Sequence, residues 1–455
     1  MTTLDRSRVS GLVDRERDAY RSAHPESQRV HERAEHLFGR VPMTWMSKWS
    51  GGFPLAYATA HGNKITDVDG HTYVDFALGD TGAMAGHSPR ATVDAVHRRI
   101  AVDGGITTML PTEDAEWVGA ELTRRFGLPR WSFTLSATDA NRWAVRLARL
   151  VTGRPKLLVF SYCYHGSVDE TFIVVGPDGK ARSRPGNVAP AVDPTQTTRV
   201  AEWNDLAAVE RALAHGDVAA ILAEPALTNI GIVLPEPGFL DGLRELATKY
   251  GALLMIDETH TISAGPGGMT ARDGLRPDVF IIGKSLGGGI PCGAYGLTEE
   301  IADRVHRITA TGSADIVDVG GVGGTLAGNA LSLAAMRATL DEVLTDDAFA
   351  HMIRLAGDYT EDVRRILETA DVPWSVTQLG ARAEYRFTRP SPRTGGESAA
   401  AADDLLDEYM HLYTLNRGIL MTPFHNMALM CPDTTDADIA RHAEVFEQAV
   451  AELVG

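Results

Sequence analysis

Cysteine is nearly missing from this chain. Cys163, Cys292 and Cys431 are the only three in 455 residues, and they stand far apart. That spacing excludes a disulfide framework and a zinc site, and it fits a reducing compartment. Positive charge is also scarce. Lys and Arg number 43 against 60 Asp and Glu, a formal net charge of -17. A chain so anionic repels polyanions, which argues against nucleic acid and anionic membrane surfaces as partners. No apolar run approaches the roughly 18 residues of a membrane helix. The opening MTTLDRSRVSGLVDRERDAY is too charged for a signal peptide, so a cytoplasmic location is expected. Internal repeats and low-complexity tracts are lacking as well. What is present, 44% hydrophobic and 23% charged residues, is the profile of a soluble globular protein with a large core.

Residues 1–40 read as charged helix, an N-terminal arm. NKITDVDGHTYVDF (63–76) reads as two alternating runs around a D-x-D-G turn, a small hairpin. Beyond residue 90 the pattern becomes alternating strand and helix. WSFTL (131–135), KLLVF (156–160), VAAILAEP (218–225), ALLMIDE (252–258) and DVFIIGK (278–284) are strands. The last three have the unbroken apolar character of strands buried on both faces. Thr112 is placed as the cap of a helix ending near Gly127. A helix from Ala137 to about Thr152 stops at Gly153. The expected fold is α/β: a mostly parallel sheet flanked by helices, plus a smaller α+β domain built from both chain ends. The expected divisions are 1–75 (arm and part of the small domain), 76–335 (large domain) and 336–455 (C-terminal small domain). The Gly- and Pro-rich stretch 166–195 has little periodicity and reads as a long lid or mobile loop.

Ligands of such sheets bind beyond the carboxyl ends of the strands. Lys284 stands at one such end and opens KSLGGGIPCGAYG. A lysine there can lose its proton by desolvation and attack an aldehyde; the plainer reading is an ammonium that reaches solvent at the sheet edge. Asp257 ends the preceding strand, where a carboxylate can keep a heteroaromatic nitrogen protonated; a cap or salt bridge is the ordinary alternative. In LSATDAN (135–141), Ser136 is a plausible helix cap, with Asp139 as its capping-box partner. The N–H groups of Ala137 and Thr138 then face an anion. Tyr164, in CYHG after KLLVF, is placed to stack on a flat ligand or to pack in the core. VGGVGGTLAGN (319–329) is a glycine-rich loop with Thr325 as a hydroxyl donor.

In order, SATDA, YHG, the Glu224–Pro225 pair, ID-E (256–258), GKSLGGGIPCGAYG and GGTLAGN resemble the class III aminotransferases of pyridoxal phosphate fold type I. Within that family the pattern is nearest to the glutamate-1-semialdehyde 2,1-aminomutases and related ω- and amine transaminases. DVDGHTYVDF and GHSP (86–89) fit as well. The resemblance implies pyridoxal 5'-phosphate as cofactor and Lys284 as its Schiff-base lysine. It pairs Asp257 with the pyridine nitrogen and gives the phosphate to Ser136, Ala137 and Thr138. It places Tyr164 on one ring face with His165 beside it, and Glu224 and Thr259 near the cofactor. It sends Thr325 to the phosphate of the neighbouring subunit of a homodimer. Two departures stand out. Ala137 replaces a common glycine, and Thr259 replaces a small aliphatic residue before the less usual continuation HTISAGPGG.

The activity implied is transfer of an amino group from an amine or a β- or ω-amino acid to a keto acid, ketone or aldehyde. The alternative is an aminomutase, which moves nitrogen within one molecule; a pyridoxal-phosphate-fold protein that only binds is the remote third. No metal is expected. For the substrate, LMTPFHNMALM (420–430) holds no arginine where β-amino acid enzymes carry one. Arg382 could serve instead, a surface or structural salt bridge being as good a reading; Phe424 stands in the stretch itself, and Trp45 and Trp49 in PMTWMSKW (42–49) either line a substrate entrance or anchor the arm in the core. Arg142, Arg146 and Arg149 read as packing and solvent-face residues.

Overall fold

The computed structural model describes residues 4–317 and 320–455. The chain divides into two compact units. The sheet unit comprises Arg90–Asp346 and Pro392–Ala400; the terminal unit comprises Met1–Pro89, Asp347–Ser391 and Ala401–Gly455.

The sheet unit is built on seven strands: β1 (Arg130–Thr134), β2 (Lys156–Phe160), β3 (Thr198–Ala201), β4 (Val218–Ala223), β5 (Leu253–Asp257), β6 (Val279–Gly283) and β7 (Gly293–Leu297). Their spatial order is β1-β7-β6-β5-β4-β2-β3. β3, β2, β4, β5 and β6 pair in parallel, whereas β7 is antiparallel to both β6 and β1. The strands β4, β5 and β6 are buried at every residue, as their unbroken apolar runs require of a sheet covered on both faces. The helix Ala137–Thr152 begins and ends as the sequence indicates, with Gly153 in the left-handed conformation at its stop. At Glu113–Phe126 the helix is present, but the Thr112 side chain makes no capping bond and its buried hydroxyl has no hydrogen-bond partner among the described residues.

The stretch 166–195 is more ordered than its composition suggests. Ile173–Val175 and Ala181–Ser183 form an antiparallel pair, Val175 N–H donates to Ser161 Oγ (2.8 Å) and Arg184 donates to Cys163 O (3.2 Å).

The terminal unit holds a four-stranded sheet, Tyr57–His61, Lys64–Asp67, Thr72–Asp75 and Ile419–Leu420 in that order. A three-stranded sheet is made of Ser375–Leu379, Arg382–Arg386 and Met427–Leu429. The arm is helical over Arg6–Ala23 and Pro25–Arg33, and Arg17 pairs with Glu408 (2.6 Å) on the helix Asp404–Leu415.

The units differ from the divisions at 75/76 and 335/336, for local reasons. Residue 76 is held by C-terminal strands: Phe76 N–H donates to Leu420 O and its carbonyl accepts from Leu429 N–H, both 2.9 Å. Residues 339–344 are held by the sheet unit, where buried Arg125 donates to Leu340 O (2.7 Å) and Leu344 O (3.0 Å). The excursion 392–400 returns to the same unit because Gly395 lies against Ser161 O, which a Cβ would approach to 2.2 Å.

Candidate active site

The carboxyl ends of β5 and β6 are in register, with Asp257 beside Ile281, and Lys284 follows immediately after β6. Lys284 is half-buried and has φ of +51°, a strained left-handed conformation for a residue with a side chain. Its Nζ lies 2.6 Å from His260 Nε2.

Asp257 is 2% exposed. Its Oδ2 accepts from Asn141 Nδ2 (2.8 Å) and His165 Nδ1 (2.9 Å), and its Oδ1 accepts from Thr259 N–H (3.0 Å). Burial alone would raise this carboxyl; the hydrogen bond and charge of His165, with the bonds from Thr259 and Asn141, overcome it and lower it to about 2. The His165 imidazole is raised in turn: burial opposes its charge, but Cys163 and the Asp257 carboxylate outweigh that. The pair is therefore an anion held by a cationic donor.

The helix Ala137–Thr152 supplies the second wall. Ser136 is its cap, with Oγ accepting from Asp139 N–H at 3.3 Å. The capping box is only half made, because the Asp139 carboxylate takes the Ser136 hydroxyl (3.3 Å) rather than its N–H. The helix start lies against Gly283, where a Cβ would stand 2.9 Å from Ala137 N and 3.0 Å from Ala137 Cβ. Gly293 is as tight against Ser136, at 2.8 Å to its carbonyl carbon. Bare glycines thus bring the helix N-terminus beside the lysine strand. Thr138 Oγ1 accepts from Ser167 N–H (3.3 Å), and Gly166 leaves room for it. This joins the Tyr164–Gly166 loop to the helix start.

Glu224, just past β4, is buried and accepts from Tyr164 N–H (3.2 Å) and Thr228 Oγ1 (2.5 Å). Burial raises its carboxyl. The Tyr164 ring is 37% exposed and packs edge-on to Phe172 at 6.5 Å. Asn141 Oδ1, His165 Nε2, Thr259 Oγ1 and Ser285 Oγ are buried with no hydrogen-bond partner among the described residues. Buried polar atoms are ordinarily paired, so four orphans around one carboxylate and one lysine suit a polar ligand. An anionic carboxylate, an amine, a helix N-terminus and a partly exposed aromatic ring are the donor set a phosphorylated pyridine aldehyde requires.

The other expected residues lie on other elements. Thr325 is exposed on the loop 320–329, whose Gly321 and Gly324 face Arg146 and Trp143; Val319 of that motif is outside the described residues. Trp45, Trp49, Arg382 and Phe424 belong to the terminal unit. There Trp45 meets Phe424 edge-on at 4.9 Å and Trp49 meets His411 at 5.2 Å. Arg382 is 1% exposed and donates to Thr81 Oγ1 (2.9 Å). Arg142 donates to Ser167 O (2.5 Å) and Arg149 pairs with Glu170 (2.7 Å), beside a cavity of about 760 Å³.

Asn141 and His260 join this site although neither belongs to a residue pattern that marks a ligand. Asn141 stands four residues after Ala137, the spacing that returns a helical side chain to the same face. His260 lay inside the unusual HTISAG. In the terminal unit His24, Asp67 and His71 also cluster, with one ligand atom of each within 4.8 Å of the others. There His24 Nδ1 bonds Tyr20 O (2.6 Å) and Tyr73 OH donates to Asp67 (2.8 Å), tying the arm to the hairpin.

The profile of the aminotransferase class-III family matches residues 45–450. The chain belongs to the class-III aminotransferase family. This class-III chain is 36% identical over 392 residues to a glutamate-1-semialdehyde 2,1-aminomutase of Nitratidesulfovibrio vulgaris, covering 85% of this chain and 90% of that one. A second aminomutase, from Anaeromyxobacter dehalogenans, is 31% identical over 434 residues, 94% and 98% of the two chains. Among solved structures, a glutamate-1-semialdehyde-aminomutase of Pseudomonas aeruginosa PAO1, solved with PMP, superposes with a TM-score of 0.95 at 48% identity over 99% of both chains. A β-phenylalanine aminotransferase of Variovorax paradoxus gives 0.85 at 27% identity over 97% of both. The fold is the α/β type I fold of the pyridoxal phosphate enzymes.

Proposed function

We propose that this class-III enzyme is an aminomutase of the glutamate-1-semialdehyde type, moving an amino group between neighbouring carbons of one small substrate. The observation that carries the reading is the 48% identity and 0.95 TM-score to the P. aeruginosa aminomutase over 99% of both chains. Relatives named as aminomutases over most of the chain support it. Pyridoxal 5'-phosphate is the cofactor, and the residues present fit it. Lys284 would carry it, Asp257 would face its ring nitrogen, and the N–H groups at Ser136, Ala137 and Thr138 would take its phosphate. Tyr164 would cover one ring face, with His165, Glu224 and Thr259 around the ring.

When bound, the cofactor supplies an electron sink for the charge left when a substrate carbon loses its proton. The chain's own residues do the rest. Asp257, kept anionic by His165 and Asn141, would keep the ring nitrogen protonated. Lys284 Nζ, once neutral, would take the proton from the substrate carbon that bears nitrogen and return it to the carbon on the other side of that nitrogen. The helix start fixes the anionic end so that these atoms stay aligned.

The chain acts as a homodimer in this reading, with Thr325 offered to the partner's phosphate. Exposed apolar residues of the sheet unit, Val102, Met109, Leu110 and Leu326, support a covered face there. The setting is cytoplasmic. No helix among the described residues is long and apolar enough to cross a membrane.

A second reading, transamination to an external keto acid, ketone or aldehyde, is supported by the family match and by the TM-score of 0.85 to the β-phenylalanine aminotransferase. Residues 420–430 have no arginine of the kind β-amino acid enzymes carry, and Phe424 there pairs with Trp45, so an amine donor fits this reading better. The deciding experiment supplies one amino substrate with and without pyruvate. Isomerisation without an acceptor is the expected result; stoichiometric alanine, formed only when pyruvate is present, would select the transaminase. A protein that stays colourless with added pyridoxal phosphate would leave only ligand binding.

A further inference from the structure

His260 touches the reactive lysine and has no role in the scheme above. It lies three residues past Asp257, is 8% exposed, and precedes the short turn Thr261–Ala264. The turn that follows it is anchored on Glu258, a fully buried carboxylate. Glu258 accepts from Thr261 Oγ1 (2.5 Å), Met269 N–H (3.2 Å) and Thr270 N–H (2.5 Å). Gly268 passes so close that a Cβ there would stand 2.5 Å from Glu258 Oε2. Lys284 is equally constrained, by its left-handed backbone and by Gly283 against the helix start.

Two nitrogen bases 2.6 Å apart are within hydrogen-bond reach and can hold one proton between them. Protonating both places like charges in contact with little water between them, which the low local dielectric opposes. The titratable groups on the surrounding strand ends have partners of their own. Asp257 and His165 pair with each other (2.9 Å), and the Glu224 and Glu258 carboxyls are raised by burial and bonded to threonine hydroxyls.

We propose, resting on the assignment of Lys284 above, that His260 is a positioning residue that holds the proton Lys284 must release. The proton passes from Nζ to Nε2, leaving a neutral amine with a free electron pair and an imidazolium N–H directed at it. When Nζ takes up a proton again, the imidazole returns to its neutral form. No other reactant is required. Because the proton moves within the pair, the nucleophilic amine is available across the neutral range without loss of a proton to water.

The test uses full-length protein freed of cofactor and mixed with pyridoxal phosphate. The rate at which the visible absorbance of bound cofactor appears is followed from about pH 6 to about pH 9. Borohydride reduction and peptide mass spectrometry verify attachment at Lys284. The wild-type rate is expected to stay level through the neutral range. His260→Gln can accept the same hydrogen bond but cannot take the proton. Its rate should climb about tenfold per pH unit and fall about tenfold or more below wild type near neutrality. His260→Asn gives the same comparison should the glutamine variant fail to fold by circular dichroism. Superimposed profiles of wild type and variant would overturn the proposal. So would a wild-type rate that itself climbs tenfold per pH unit, which needs no variant. A wild-type protein that attaches no cofactor at Lys284 would instead overturn the functional reading beneath it.

Discussion

A carboxyl group sealed inside a protein is ordinarily driven toward its neutral form. Asp257 is the reverse: it is buried, yet three donors hold it anionic and lower it to about 2. Its folded value lies below the usual 3.8, so the stability it contributes is present above that value and disappears as the pH falls toward about 2. The amount is on the order of 2 kcal/mol. Asp257→Asn keeps the shape but removes the charge that His165 pairs with. Urea unfolding at neutral pH should show a loss of about 3 kcal/mol. Amino-group movement should drop about a hundredfold or more, because the ring nitrogen would no longer be held protonated. A variant with unchanged turnover would show that the carboxylate is structural. At this scale the sequence singled out Asp257 and Lys284 as candidates, since each stands where an apolar strand ends. It did not reveal His260 or Asn141, because a histidine in a turn and an asparagine in a helix carry no signal until folding selects their partners.

The elements of the sheet unit were legible because their periodicities are unmixed. β2 spans the apolar run KLLVF, and the helix Ala137–Thr152 lies between a serine cap and a glycine stop. What pattern could not give is the distance between elements, which here depends on missing side chains. Gly283 is the clearest case, since it sets the helix start beside Lys284. Gly283→Ala must push β6 and the helix apart by a few tenths of an ångström. The expected cost is about 1–3 kcal/mol, read as a lower unfolding midpoint. Cofactor affinity should weaken with it, measured as faster release on dilution. Retained affinity and an unchanged midpoint would mean that the helix start does not grip the phosphate. The stretch 166–195 misled in the opposite direction. Its Gly and Pro content suggests an irregular loop, yet Val175 N–H and Arg184, donating to Ser161 Oγ and Cys163 O before the stretch, hold a hairpin in place.

For the molecule as a whole, pH tolerance depends on histidines that the core keeps neutral. His442 lies fully inside the terminal unit among Phe76, Tyr359 and Phe446, and burial lowers it to about 3. His411 is lowered to about 4 by the same cause. Because the folded value is depressed, the unfolded chain takes the proton first. Stability is full above about 6.5 and is lost as the pH falls below it, by about 2 kcal/mol for His442 at pH 5. His442→Phe removes that dependence. Its unfolding free energy should fall less than the wild type's between about pH 7.5 and pH 5, by roughly 2 kcal/mol. Equal falls would place the acid sensitivity elsewhere.

Composition and local pattern by themselves determined the parallel sheet, the strand-end lysine and aspartate, and the family these motifs resemble. Backbone periodicity and special residue types act over a few neighbours, so they can be read from a linear string. The units' boundaries, the burial of Arg382 against Thr81, the Asp257–His165–Asn141 cluster and the His260–Lys284 contact were decided only by tertiary structure. Each joins groups far apart in the chain, through hydrogen bonds and charge interactions that act over a few ångströms of space and leave no mark on spacing.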